Sequence, residues 1–273
     1  VPELPEVETV RRQLATSLPG AGFLAVEQVE PAMLRDCQAS LVKTVLPGRA
    51  VRDLRRSGKF LIVALDEDWF LTLHLGMTGQ LLIEPPGRSP HTRFVFILQR
   101  PGGRPFRLEF RDMRKFGRLH LTLGGPAPRL QALGPDAWSG RWDAAYLGDR
   151  LRGRKAPLKA FLLDQANLAG IGNIYADEIL WWAGLSAVRA AGTLTAGEVA
   201  LLATEIRRRL GEGVRLLGCS LSDFVDTDGN AGRFQEWLQA YGRQGEPCRR
   251  CGARLVRAVI AGRGTAYCPG CQR

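Results

Sequence analysis

The sequence predicts an α+β, multidomain chain: an antiparallel β-sandwich or barrel, then a helical region, then a C-terminal cysteine hairpin. Three observations carry this. Residues from about 23 to 123 form short runs rich in β-branched and aromatic side chains, punctuated by turn-formers. Beyond about residue 136 the stretches read as helical, and Cys248-x2-Cys251-x16-Cys268-x2-Cys271 closes the chain. At 273 residues the chain is long enough for two cores.

Pro5-Glu6-Val7-Glu8 reads as a helix first turn, with proline early and acids facing the positive helix end. Val7, Val10, Leu14 and Leu18 continue it as one apolar stripe, and Pro19-Gly20 stops it. Strands are predicted over 60–65, 69–75, 93–98 and 106–110, with no helix between them, which implies an antiparallel arrangement. Gly124-Gly125-Pro126-Ala127-Pro128 and Gly134-Pro135 form the densest cluster of breakers. The expected division is therefore 1–125, a linker over 126–136, a helical domain over 137–243 and a hairpin module over 244–273. Helices are expected over 158–165, 174–183 and 196–217, the first two joined by a short connection with two glycines.

The 45% hydrophobic content is that of an ordinary globular protein. No leader-like apolar segment and no run near the ~20 residues needed to span a bilayer is present, so a soluble, cytoplasmic protein is expected. A net charge of +11 suits a polyanionic partner, nucleic acid first and anionic membrane second. Residues 1–135 carry 19 basic and 13 acidic side chains and residues 136–273 carry 19 and 14, which excludes a single basic tail. No basic amphipathic helix stands out, against the membrane reading.

The cysteine spacing is that of a zinc ribbon, and four thiolates leave no open coordination position, so a structural ion is expected on Cys248, Cys251, Cys268 and Cys271. A pair of disulfides is the alternative, disfavoured where thiols stay reduced. Cys37 and Cys219 read as free thiols. If Pro2 leads the mature chain, its nitrogen is a free secondary amine. Such an amine titrates near pH 8 and can attack an electron-poor carbon, with Glu3 beside it to move the proton. Prolines that only stiffen a helix entry are the competing reading. Gly170-Ile171-Gly172-Asn173 offers backbone N–H groups at a helix start, either a phosphate seat or a plain packing corner, and Asn173 can cap that helix or donate to a phosphate oxygen. Arg263, at the tip of a glycine-flanked turn of the hairpin, suits bidentate phosphate binding or simple solvation. Met77, Arg114 and Phe116 lie in turn-like stretches and are either base-stack wedges or, for the two apolar ones, core. Lys59 begins an apolar strand and reads as a surface lysine.

Taken together, Pro2-Glu3-Leu4-Pro5-Glu6-Val7-Glu8-Thr9, His74-Leu75-Gly76-Met77, Arg114-Lys115-Phe116-Gly117, Gly170-Ile171-Gly172-Asn173-Ile174-Tyr175 and Tyr241-Gly242-Arg243 before the cysteines resemble the formamidopyrimidine-DNA glycosylase family. The resemblance implies an N-terminal β-sandwich, a helical domain with a helix–two-turns–helix element and a C-terminal zinc finger. It implies a bifunctional glycosylase and abasic-site lyase of base excision repair. Such an enzyme removes 8-oxoguanine and formamidopyrimidines from duplex DNA through a Schiff base. The same resemblance assigns Pro2 as nucleophile, Glu3 as its acid, Lys59 to β-elimination and Arg263 to δ-elimination. His91, Arg114 and Lys155 become DNA contacts, and Asn173 a phosphate ligand. Met77, Arg114 and Phe116 fill the gap left by the everted base, which lies under the loop 220–232. A monomer on duplex DNA is expected. Two departures stand out. Val1 occupies the place of a removable methionine, and the expectation is that it reflects a non-standard start codon and is absent from the mature chain. Leu217-Gly218-Cys219-Ser220 replaces a Gly-Gly-Thr-Thr-like stretch, leaving fine lesion preference open.

Overall fold

The computed structural model describes residues 2–273, and Val1, on whose removal the amine reading depends, lies outside the described residues. The chain forms two compact units, joined between Ala132 and Leu133 and crossing again near residues 215 and 235.

The first unit contains α1 (Leu4–Leu14), β1 (Gly22–Gln28), β2 (Leu34–Arg35), α2 (Ala39–Val45), β3 (Val51–Ser57), β4 (Phe60–Leu65), β5 (Trp69–His74), β6 (Gln80–Ile83), β7 (Thr92–Gln99), β8 (Pro105–Arg111) and β9 (Arg118–Leu123). One sheet runs β1-β7-β8-β6 and the other β2-β9-β5-β4-β3. The pairs are antiparallel except β2 with β9. Leu61, Val63, Leu71 and Leu73 of one sheet share a core with Phe94, Phe96, Leu98 and Phe110 of the other, as alternating side chains of a sandwich must. Phe94 and Phe110 stack with centroids 5.8 Å apart. Each such ring contributes roughly 1.5–3 kcal/mol by leaving water.

Two expectations are corrected here. A helix, α2, does interrupt the strand-rich stretch. It buries Val42, with Leu46 just beyond it, and one such i,i+4 pair is too brief a pattern to read as helical. The first helix stops at Leu14, although Leu18 is still buried, so the apolar stripe outlasts the helix that began it. α1 is fastened to its sheet by Glu8, which accepts from Arg11 and Arg12 of its own helix and from Arg56 Nε of β3 at 3.0 Å. Burial pushes the Glu8 carboxyl up, but the Arg11 hydrogen bond and the Arg56 charge outweigh it and hold the group below its usual range.

Leu216–Gln235 belongs to this first unit, although the helix before it and the chain after it belong to the second. The long predicted helix ends at Arg215, because Leu217 and Gly218 turn with φ of 60° and 84°.

The second unit contains α3 (Ala144–Leu151), α4 (Leu158–Leu163), α5 (Asn173–Ala183), α6 (Ala196–Arg215) and the hairpin β10 (Val256–Ile260) and β11 (Arg263–Tyr267). α3 starts where Asp143 accepts the Tyr146 N–H, an N-cap not singled out in the sequence. α5 is buried nearly all round. It packs against α6 so closely that a Cβ at Gly213 would lie 2.4 Å from the Tyr175 hydroxyl. Trp181, Ala240 and Leu255 cluster with Cys248 and Cys268 beneath the hairpin. Among the described residues no helix is long and apolar enough to cross a membrane.

Candidate functional site

In the first unit, Pro2 and Glu3 are buried at the start of α1, with Glu3 the N-cap residue. The Glu3 N–H donates to Glu6 Oε2 at 2.7 Å, closing a capping box across the first turn. The other oxygen of Glu6 accepts the N–H of Cys219 at 2.7 Å. One carboxylate therefore ties the proline-bearing helix end to the entrance of the loop that follows Arg215. Gly218 is needed there, since a Cβ would lie 2.9 Å from Glu6 Cγ and its φ is 84°.

The rest of that loop is fastened by two glutamines. Gln13 of α1 donates to Asp226 Oδ2 at 2.8 Å and accepts from the Thr227 N–H at 2.9 Å. Gln80 of β6 donates to the Asp223 carbonyl at 2.5 Å. Ser220 Oγ takes the Gly232 N–H and gives its own hydrogen to the Phe224 carbonyl, bracing the loop across its width. Glu6 and Gln13 were missed as site residues. Glu6 had a legible local signal, because a carboxylate three residues after an N-cap is half of a capping box; Gln13 had none.

Lys59 lies in the tight turn joining β3 to β4, half-buried. His74, its ring tilted by 55° against Phe60 with centroids 4.8 Å apart, accepts the Gly76 N–H at Nδ1, 3.0 Å away. Burial and the nearby charge of Lys59 push the His74 pKa down to about 4, so the ring is neutral near pH 7 with its proton on Nε2. Met77 follows on the same turn, half-buried, while Arg114 and Phe116 are exposed on the turn between β8 and β9. The Arg114 guanidinium lies over the Phe116 ring, 4.6 Å from its centroid. His91 is exposed, and its carbonyl accepts the Asp112 N–H at 2.8 Å. The core reading of Phe116 is thus excluded by its 44% exposure.

In the second unit, Gly172 is the N-cap of α5 and Asn173 its first residue, so Asn173 does not cap that helix. Its Nδ2 instead donates to the Gly264 carbonyl at 3.1 Å, beside Arg263. Arg263 is not at the apex of the hairpin. Ala261 and Gly262, with φ of 49° and 70°, make the turn, and Arg263 opens β11 opposite Ile260, exposed. Lys155 is exposed just before α4.

Two buried charges that the sequence reading passed over hold this arrangement. Lys159 Nζ, in α4, pairs with Asp177 Oδ1 of α5 at 2.7 Å and donates to Thr265 Oγ1 at 2.9 Å and the Gly264 carbonyl at 3.1 Å. Asp177 Oδ2 accepts the Ala266 N–H at 3.0 Å. Neighbouring Glu178 accepts the N–H groups of Gln239, Ala240 and Tyr241, each at 2.9 Å. Burial nonetheless pushes its carboxyl up to about 7, against the pull of those three donors. A lysine inside an apolar helical stripe was the available signal for Lys159.

The sulfurs of Cys248, Cys251, Cys268 and Cys271 lie within 4.8 Å of one another, and none is in a disulfide. Cys248 and Cys271 are 3.7 Å apart and Cys251 and Cys268 3.3 Å. Tetrahedral thiolates at a zinc–sulfur distance of about 2.3 Å stand about 3.8 Å apart, so the set fits one structural zinc ion.

Family models match three stretches of the chain. They are the formamidopyrimidine-DNA glycosylase N-terminal domain over residues 1–119, the H2TH domain of the same enzymes over 133–225, and the zinc finger found in FPG and IleRS over 245–273. The formamidopyrimidine-DNA glycosylase of Pelotomaculum thermopropionicum is 40% identical over 280 residues, covering 100% of this chain and 99% of that protein. The crystal structure of MutM (Fpg) from Thermus thermophilus superposes with a TM-score of 0.88 at 42% identity, covering 99% of this chain and 98% of that one. A Lactococcus lactis Fpg mutant in complex with a Fapy-dG containing DNA gives 0.90 at 32% identity, covering 100% of both chains.

Proposed function

Because the chain belongs to the formamidopyrimidine-DNA glycosylase family, we propose that it excises oxidised purines from duplex DNA and then cuts the strand at the abasic site. The observation that carries this is the placement of Pro2 and Glu3 together at the buried start of α1, braced by Glu6. With its nitrogen free, Pro2 attacks C1′ as the damaged base leaves with the glycosidic electron pair, and Glu3 moves the proton that the step requires. Loss of the remaining N–H proton and opening of the sugar give an iminium. That cation acidifies the C2′ hydrogens, so removing one expels the 3′ phosphate by β-elimination, for which Lys59 is the base. A second elimination, assisted by Arg263, releases the 5′ phosphate.

Eversion of the base costs a few kcal/mol of unstacking. Met77, Arg114 and Phe116 offset part of that by filling the vacated stack, while the loop 220–232 covers the everted purine. His91, Lys155 and Asn173 hold phosphates. The zinc supplies rigidity rather than reactivity, since its four thiolates leave no open position, and it fixes the hairpin that carries Arg263. The proposed division of labour is a catalytic segment over 1–125, a linker over 126–136, a DNA-binding helical domain over 137–243 apart from Leu216–Gln235, which belongs to the first unit, and the zinc hairpin over 244–273, working in the cytoplasm.

Borohydride trapping on a duplex with one 8-oxoguanine tests the chemistry. Protein whose first residue is Pro2 gives a covalent adduct; protein that retains Val1 gives none, because an amide nitrogen cannot form an iminium. No adduct from the Pro2 form overturns the mechanism. Faster excision of thymine glycol than of 8-oxoguanine overturns the purine assignment.

A further inference from the structure

The turn that carries Met77 and the turn that carries Arg114 and Phe116 leave different strands, yet they are built as one body. Asp112, only 1% exposed, is the joint. Its Oδ1 accepts the Thr78 hydroxyl at 2.5 Å and the Arg114 N–H at 3.1 Å, and its Oδ2 accepts the Gly117 N–H at 2.7 Å. One carboxylate thus closes both ends of the 114–117 segment and ties them to the residue after Met77. Thr78 Oγ1 also receives the Arg114 N–H, at 3.2 Å.

The backbones meet at the same place. A Cβ on Gly76 would lie 2.5 Å from Gly117 N, and one on Gly117 would lie 2.5 Å from the Phe110 ring and 3.0 Å from Met33 Cε. Outside this joint, Lys115 pairs with Glu30 at 2.6 Å, and Arg114 lies over Phe116. A turn-forming aspartate bonds its own neighbours; this one also binds a hydroxyl 34 residues away.

We propose that Asp112 and Thr78 are positioning residues that hold Met77, Arg114 and Phe116 in one prebuilt wedge, so that base eversion does not first require two turns to be ordered. This deepens the proposed function and rests on it. Asp112→Asn keeps the shape but places an NH2 against one of the N–H donors, and Thr78→Val removes the hydroxyl alone. Misplacing a reacting arrangement by on the order of 1 Å costs about 10²-fold. A loss of about 10- to 100-fold is therefore expected in single-turnover excision of 8-oxoguanine paired with cytosine. Trapping at a preformed abasic site, which has no base to unstack, falls less than about threefold by the same reasoning. Thr78→Ser restores excision. A 2-aminopurine next to the lesion brightens less on binding of Asp112→Asn or Thr78→Val than on binding of the unaltered protein.

Equal losses on both substrates, or no loss for Thr78→Val with its melting temperature unchanged, overturn the proposal. Failure of the unaltered protein to trap at the abasic site overturns the functional reading instead, whatever the variants do.

Discussion

The turns that bear Met77, Arg114 and Phe116 and the helix end that bears Pro2 rest on a sandwich core drawn from two sheets and α1. The hairpin that bears Arg263 rests on Trp181, Ala240, Leu255 and two of its own cysteines. In the first unit apolar burial carries the fold, and hydrogen-bonded carboxylates and amides such as Glu6, Gln13 and Asp112 set fine geometry on top of it. In the second unit the hairpin has too little apolar surface to hold itself. There a metal and a buried ion pair, Lys159 with Asp177, take over the structural role. The lesson is that similarly exposed arginines, Arg114 and Arg263, depend on different physics for their placement.

Chelation breaks this contrast most strongly. Structural zinc binding supplies roughly 10–16 kcal/mol in finger-like modules. Removing it, or substituting Cys268→Ser, is expected to take metal content from about one ion per chain to near none. Residues 245–273 then become protease-sensitive while the sandwich stays resistant. A hairpin equally resistant after chelation would show that packing suffices.

Glu3→Gln tests the opposite unit through chemistry rather than stability. Excision is expected to fall by about 10²- to 10⁴-fold with little change in melting temperature. A large drop in melting temperature would assign Glu3 mainly to the helix cap.

The sandwich should also lose stability in acid through His74, whose burial first, and then its neighbours Lys59, Arg129, Arg118 and His120, oppose its protonation. Unfolded histidine binds a proton near pH 6.5, whereas the folded ring resists until about pH 4. The unfolded state therefore holds more protons across that window, and stability falls as pH drops through it. The loss amounts to about 3 kcal/mol at 1.36 kcal/mol per pH unit. His74→Asn, whose Oδ1 can accept the Gly76 N–H, should flatten this part of a denaturant-stability profile; an unchanged slope would place the proton uptake elsewhere.

The smallest effect belongs to Arg263→Ala. Binding to damaged and undamaged duplex is expected to weaken alike, with the slope of log K against log salt reduced by about one. A loss confined to lesion DNA would contradict a phosphate contact.

What was legible in the sequence divides along the same line of physics. The strands over 60–65 and 92–99 announce themselves because their burial is dense and local, and the cysteine spacing does so because ligation needs fixed short offsets. β3 reads Val51-Arg52-Asp53-Leu54-Arg55-Arg56-Ser57, and its arginines mask the strand pattern. Nothing local marks the 216–235 segment as part of the first unit, because its partners Glu6, Gln13 and Gln80 lie more than a hundred residues away. Long-range polar anchors leave no periodicity, so Glu6 reads only as a helix-start acid and Gln13 not at all.

Glu6 has an implication for redesign. Because one carboxylate grips the peptide nitrogen beside Pro2 and the peptide nitrogen of Cys219, altering the loop proposed to cover the damaged base is expected also to tug on the proposed attacking amine. On the proposed function, selectivity and turnover are then mechanically geared together. A library that varies the loop while keeping Gly218 and the Cys219 amide in place is the one that can change the first without stalling the second.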